Sequence, residues 1–169
     1  MRMAIESPRT NDCVDEVVDK YAKMVYRLAL AHVKTTHDAD DVLQDVFLRY
    51  ISKQRTFESE EHRKAWLIRV TINRCNSFWA SMWIKKTVPL DDATPCKNEE
   101  KTDLRGYLAS LPQKYRTVIH LFYFEELSIK EISEIMNAKD ATVRVWLNRA
   151  RAMLRDDLKG DFGNGYSNI

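Results

Sequence analysis

Apolar positions fall at helical spacing along almost the whole chain. Val14, Val17, Val18, Tyr21, Met24, Val25 and Leu28 recur at three- and four-residue steps, which predicts an amphipathic helix ending near His32. After the polar break Thr35-Thr36-His37, Asp38 stands where an N-cap belongs, and Asp40 and Asp41 suit the positive end of a helix. That second helix continues through Val42, Leu43, Val46, Phe47, Tyr50 and Ile51. Lys53 to Glu61 is polar around a single Phe57 and reads as a loop, with Ser59 placed to cap a third helix from about Glu60 to Trp83. Ile84 to Lys101 holds Pro89 and Pro95 and has no sustained period, so it reads as a linker; its roughly 17 residues would reach about 60 Å if extended.

Beyond the linker, Leu104, Leu108 and Leu111 suggest a short helix. Pro112 suits the first turn of the next helix, which buries Tyr115, Val118, Ile119 and Phe122. Ser128-x-x-Glu131 is a capping-box pattern, Asn137 falls where a left-handed turn residue is needed, and a last helix starts at Lys139 or Asp140 and runs to about Lys159. Helix, tight turn and a second helix that becomes cationic form a unit able to lie in the DNA major groove. The predicted fold is all-α: two small helical domains, residues 1–84 and 103–160, a flexible linker over 85–102 and a flexible tail over 161–169.

Composition narrows the function without assigning it. The chain has 169 residues, 44% hydrophobic and 31% charged, with four Gly and four Pro; this fits a helical globular protein and argues against strands joined by turns. A net charge of +2 leaves room for separate acidic and basic faces. Cys13, Cys75 and Cys96 have no metal-ligand spacing and read as free thiols of a cytoplasmic protein. No apolar run approaches the ~20 residues of a membrane span. With no Gly-rich phosphate loop, no metal cluster and no His paired with a nucleophile, an enzyme is not expected and no cofactor is implied.

Two clusters carry chemistry. In the last helix Val143, Leu147, Ala150 and Leu154 form the packing stripe, leaving Thr142, Arg144, Val145, Trp146 and Arg149 on the remaining arc and Arg151 and Arg155 placed for phosphates. The plainer alternative is a solvated basic helix of a four-helix bundle. In the second helix Asp38, Asp40 and Asp41 stand beside Gln44, Asp45 and Leu48, a suitable dock for a basic helix or else an ordinary acidic first turn.

Taken together, the motifs resemble a family. Asp38-Ala-Asp-Asp-Val-Leu-Gln-Asp-Val-Phe, Lys64-Ala-Trp-Leu-Ile-Arg-Val-Thr-Ile-Asn, Leu111-Pro-Gln-Lys-Tyr-Arg, Leu127-Ser-Ile-Lys-Glu-Ile and Ala141-Thr-Val-Arg-Val-Trp-Leu-Asn-Arg-Ala-Arg are similar, in this order, to regions two and four of extracytoplasmic-function sigma factors, the dissociable promoter-specificity subunits of bacterial RNA polymerase. The resemblance implies that Asp38, Asp40, Asp41, Gln44, Asp45, Phe47 and Leu48 dock on the β′ coiled coil of core polymerase. It implies that Phe57, His62, Arg63, Lys64, Arg69, Asn73 and Arg74 capture the opened minus-ten strand. Lys139, Asp140, Thr142, Arg144, Val145, Trp146, Arg149 and Arg151 would read the minus-thirty-five duplex. It also implies contact with the β flap and a cognate anti-sigma factor, with no direct membrane insertion.

The chain departs from the family pattern at Lys139, where a small hydroxyl cap is common, and at Val145 and Trp146, which replace Ser and a basic residue. Ser77 stands for a common Asp, and the Arg-rich run usual after it is reduced to Lys85 and Lys86. The competing readings are a stand-alone helix-turn-helix regulator that binds an operator without polymerase, and an interaction module with no DNA role.

Overall fold

A computed structural model describes residues 13–33, 35–53, 55–85 and 104–163. Residues 86–102 of the expected linker, Cys96 among them, and 164–169 of the expected tail lie outside this range. Among the described residues the protein is wholly helical: α1 (Val14–Val33), α2 (Thr36–Lys53), α3 (Glu60–Lys85), α4 (Leu104–Ser110), α5 (Gln113–Ile119), a π-helical turn (His120–Phe124), α6 (Ile129–Met136) and α7 (Asp140–Gly163).

The helices start where side chains can take up their free N–H groups. The Thr35 hydroxyl accepts the Asp38 amide at 3.1 Å and donates to the Asp38 carboxylate. Thr35, and not Asp38, is therefore the N-cap of α2; Asp38 sits three residues in, where its charge still meets the helix N-terminus. Ser59 caps α3 as expected, accepting from the His62 amide at 3.1 Å. Ser128 and Glu131 form the capping box of α6, and the serine's hydrogen bonds hold the Glu131 carboxyl below its ordinary range. Asn137 closes α6 at φ 51°, ψ 50°, the left-handed conformation expected of it.

Two expectations are revised. Pro112 precedes α5 as its cap with ψ 145°, and the helix after it widens into the π turn, which leaves Phe122 only half-buried. α7 continues to Gly163, so residues 161–163 belong to the helix and not to a tail.

α1, α2 and α3 form the N-terminal bundle around Val25, Leu28, Val42, Val46, Leu67 and Ile68. α4 to α7 enclose Val118, Leu121, Ile132, Val143 and Leu147. The two sets of side chains join in one contiguous core, because α5 packs on α1 and α6 on α3.

The C-terminal end of α1 lies at this junction, where its last carbonyls have no partner within the helix. The Trp79 indole N–H donates to His32 O at 3.0 Å, and the buried Arg116 donates to Ala31 O at 2.8 Å and to Leu111 O at 3.3 Å. The His32 ring donates from Nδ1 to Leu28 O at 2.9 Å, leaving Nε2 to accept the Thr117 hydroxyl at 2.6 Å. Burial first, and the nearby Arg116, push the His32 imidazole down to about 4.

A folded state that holds His32 neutral loses stability when the unfolded chain takes up a proton that the folded chain refuses. The contribution is intact above the unfolded value near 6.5 and is lost as pH falls towards the folded value near 4. Urea unfolding is expected to lose about 2 kcal/mol between pH 7.5 and 5, and His32→Gln to remove most of that loss. Equal slopes in the two proteins would show that His32 does not govern it.

Candidate functional site

The acidic face of α2 is built on a buried ridge. Ala39, Val42 and Val46 point into the bundle, which turns Asp40, Asp41, Gln44 and Leu48 outward; Leu48 is 62% exposed. Leu48 thus stands exposed on the same outward face as Asp40 and Asp41, and His37 of the same helix lies 3.9 Å from the Asp41 carboxylate. Phe47 departs from expectation: at 7% exposure it is core, and it supports the face from beneath. Asp38 is committed to the cap, and Asp45 forms an ion pair with Arg74 of α3. The outward surface is thus narrower than the motif.

A carboxylate organises the loop before α3. Glu60 Oε2 accepts from Lys20 Nζ at 2.8 Å and from the Tyr21 hydroxyl at 2.6 Å, while Oε1 accepts from Arg63. The lysine and tyrosine hydrogen bonds lower the Glu60 carboxyl below its usual range; burial first, then this carboxylate, raises the Tyr21 phenol. Arg63 is 3% exposed and lies 5.5 Å from the Phe57 ring, so it shapes the loop from inside and is not presented to a ligand. Phe57 stacks on Tyr50 with ring centroids 6.0 Å apart and meets Trp66 and His62 edge-on at 5.7 and 5.8 Å. Arg55 stands over Trp66 at 5.9 Å. This aromatic group with a cation at its rim has the composition of a base-stacking site. Tyr50 and Arg55 were not among the expected residues; Tyr50 is indistinguishable in sequence from one more apolar position of α2.

Along α3, His62, Arg69 and Asn73 are exposed and share one face at seven- and four-residue steps. Lys64 is half-buried and reaches the C-terminal half, donating to Glu125 O at 3.1 Å. Arg69 Nη2 donates to Glu134 O at 3.2 Å.

In α7, Val143, Leu147 and Ala150 are buried and Leu154 half-buried, as the periodicity required. Lys139, Asp140, Arg144, Val145 and Arg149 are exposed and Thr142 half-exposed. Trp146 does not stand free on the outer arc: it packs half-buried against the core, with Lys114 Nζ 5.8 Å from its ring. Lys114, absent from the expected set, thereby brings a cation from α5 to α7 at Trp146. Arg151 is also reassigned. Its Nε donates to the Tyr123 hydroxyl at 2.8 Å and its guanidinium lies 5.6 Å from the Phe122 and Tyr123 rings, away from the Thr142 and Arg149 face.

Arg151 instead borders an open apolar groove of about 640 Å³ between α4, the π turn and α7, lined by Leu104, Leu108, Ile119, Tyr123, Phe124, Leu154 and Leu158. Tyr123 and Phe124 are 52% and 46% exposed there, a large apolar area for a surface to leave bare. Among the described residues no helix is long and apolar enough to cross a membrane.

Residues 17–84 match the family model of Sigma-70 region 2, and residues 101–154 that of Sigma-70, region 4. The chain is 34% identical over 157 residues to the ECF RNA polymerase sigma factor SigM of Bacillus subtilis (strain 168), covering 84% of this chain and 93% of that one. It is 34% identical over 140 residues to the RNA polymerase sigma factor SigV of the same organism, covering 79% and 83%. The sigma factor RpoE of Bartonella quintana, solved in complex with the anti-sigma factor NepR, has the same fold at a TM-score of 0.70 and 22% identity, over 86% of this chain and 96% of that one. CnrH, solved with the cytosolic domain of CnrY, aligns at a TM-score of 0.65 and 22% identity, over 88% of each chain.

The reader's geometry depends on the left-handed residue between α6 and α7. Asn137→Gly is expected to leave stability nearly unchanged, and Asn137→Val to cost about 1–2 kcal/mol, because a β-branched residue resists positive φ. Denaturant unfolding of the two variants checks this, and equal losses would refute it.

Proposed function

The chain belongs to the extracytoplasmic-function sigma factors of the sigma-70 family, and we propose a division of labour between its two halves from that premise. It binds core RNA polymerase and directs promoter-specific initiation. Asp40, Asp41, Gln44 and Leu48 form the docking face for the β′ coiled coil, with Asp38, Asp45 and Phe47 holding that face in shape. The observation that supports this most is one chain carrying both an exposed acidic, leucine-bearing helix face and a capped helix-turn-helix with a cationic second helix.

In this reading the minus-ten strand meets the outer face of α3. His62, Arg69 and Asn73 contact it directly, and the Phe57, Tyr50 and Trp66 group takes an unstacked base. Stacking of this kind is worth about 1–3 kcal/mol per base, enough to offset the few kcal/mol of extrusion. The minus-thirty-five duplex meets Lys139, Thr142, Arg144, Val145 and Arg149, with Asp140 at the helix start and Lys114 as an added phosphate contact. Trp146 then positions Lys114 without itself reading a base. The apolar groove beside Tyr123 and Phe124 suits an amphipathic helix and is assigned to the β flap. RpoE of Bartonella quintana is bound to the anti-sigma factor NepR, which supports a cognate inhibitor for this chain too. Nucleotide chemistry belongs to polymerase, so the chain acts without catalysing a reaction of its own.

Run-off transcription by bacterial core polymerase over a promoter library tests the assignment. Asp41→Lys and Leu48→Glu are each expected to reduce selective initiation at least ~10-fold while leaving the fold intact, since both positions face outward. Arg149→Ala is expected to cost about 1–3 kcal/mol in promoter affinity and to relax preference at one minus-thirty-five position. Specific duplex binding by the chain alone, with no stimulation of polymerase, would instead support the stand-alone regulator.

A further inference from the structure

Val145 stands at the apex of the outward face of α7. At about 100° per residue, Val143, Leu147, Ala150 and Leu154 centre on one line, and Val145 lies about 190° round the helix from it. Its side chain is 44% exposed and takes no part in the core. The neighbours three and four residues away are Ala141, Thr142, Asn148 and Arg149, all small or polar and none of them buried. Valine forms helix less readily than alanine or arginine, so helix formation gives no reason for a β-branched side chain at this exposed place.

When α7 lies in the major groove with its packed stripe towards the body of the protein, the apex is the part that goes deepest. Ala141, one turn earlier on the same face, carries only a methyl group, so the helix backbone can come close to the base edges. A short side chain then reaches them. The apolar group that an unmodified base pair offers in the major groove is the C5-methyl of thymine.

We propose that Val145 selects a thymine in the minus-thirty-five element by packing its two γ-methyl groups against the C5-methyl of that base. The inference rests on the assignment of α7 to that duplex and adds what the helix recognises there. Burying one methyl-sized group is worth a factor of about 4 in affinity. Arg144 and Arg149, about 100° to one side of Val145 and about 40° to the other, flank the contact with cations. A protein partner would fit this surface less well. An apolar docking patch extends over several residues, whereas the positions around Val145 carry a hydroxyl, an amide and a guanidinium.

Deoxyuridine keeps every hydrogen-bonding group of thymidine and lacks only the C5-methyl, so it isolates the contact. Holoenzyme is reconstituted from bacterial core polymerase and the full chain, on the promoter that the library selects. Each thymine of the upstream element, on either strand, is replaced singly by deoxyuridine, and binding is measured by competition with the unmodified duplex. The wild-type chain is expected to lose about 3–5-fold in affinity at the contacted thymine. Val145→Ala is expected to bind the unmodified promoter about 3–5-fold more weakly and to lose the distinction between thymine and uracil at that position. Val145→Thr, which retains one methyl, is expected to keep part of it. Arg149→Ala is expected to weaken binding and preserve the uracil effect. A selected element without thymine on either strand, the absence of any uracil-sensitive position, or uracil effects that all survive Val145→Ala unchanged would each overturn the inference. Selective initiation in those cases would leave the sigma assignment standing. No selective initiation by the wild-type holoenzyme from any promoter would overturn that assignment and the inference with it.

Discussion

A helix that stops inside a protein leaves carbonyls that must find donors, and most of this molecule's tertiary arrangement follows from meeting that need at the end of α1. The donors come from far along the chain: an indole from α3 and a guanidinium from α5. Among the described residues Arg116 has no carboxylate partner; its charge is set against carbonyl oxygens, and burial lowers its pKa accordingly. Such a residue is tolerable only while both halves supply those oxygens. The continuity of the core across the junction depends on this polar arrangement as much as on apolar contact.

The same economy holds in the N-terminal half. Glu60 draws Lys20, Tyr21 and Arg63 together and so fixes the start of α3 against α1. The aromatic group around Phe57 inherits its geometry from that anchor, because Arg63 lies over the Phe57 ring. A side chain expected at a ligand is instead buried beneath the aromatic group. Arg74 pairs with Asp45, which ties α3 to α2.

The helices and their caps were legible because they are local. Period, capping box and the left-handed asparagine each depend on residues within four positions of one another. The N-cap of α2 was misread by three residues because Thr35 and Asp38 share the task and either could serve. What the sequence did not disclose was long-range: which arginines are buried, that Trp146 lies under Lys114, and that Arg151 turns towards Tyr123. Positive charge on a helix predicts solvent or phosphate, and only the fold reveals when a ring or a carbonyl has claimed it first. Lys114 and Arg116 were both visible in the Leu111-Pro-Gln-Lys-Tyr-Arg stretch, yet nothing in the linear pattern separates a surface cation from a buried one.

The π turn at His120–Phe124 fits one more residue into its length than an α-helix would. Removing a single residue there would close this wide turn and leave the chain beyond it in the same phase relative to α5, because the extra residue is taken up within the turn itself. A deletion here would therefore act locally, on the part of the apolar groove that Tyr123 and Phe124 line.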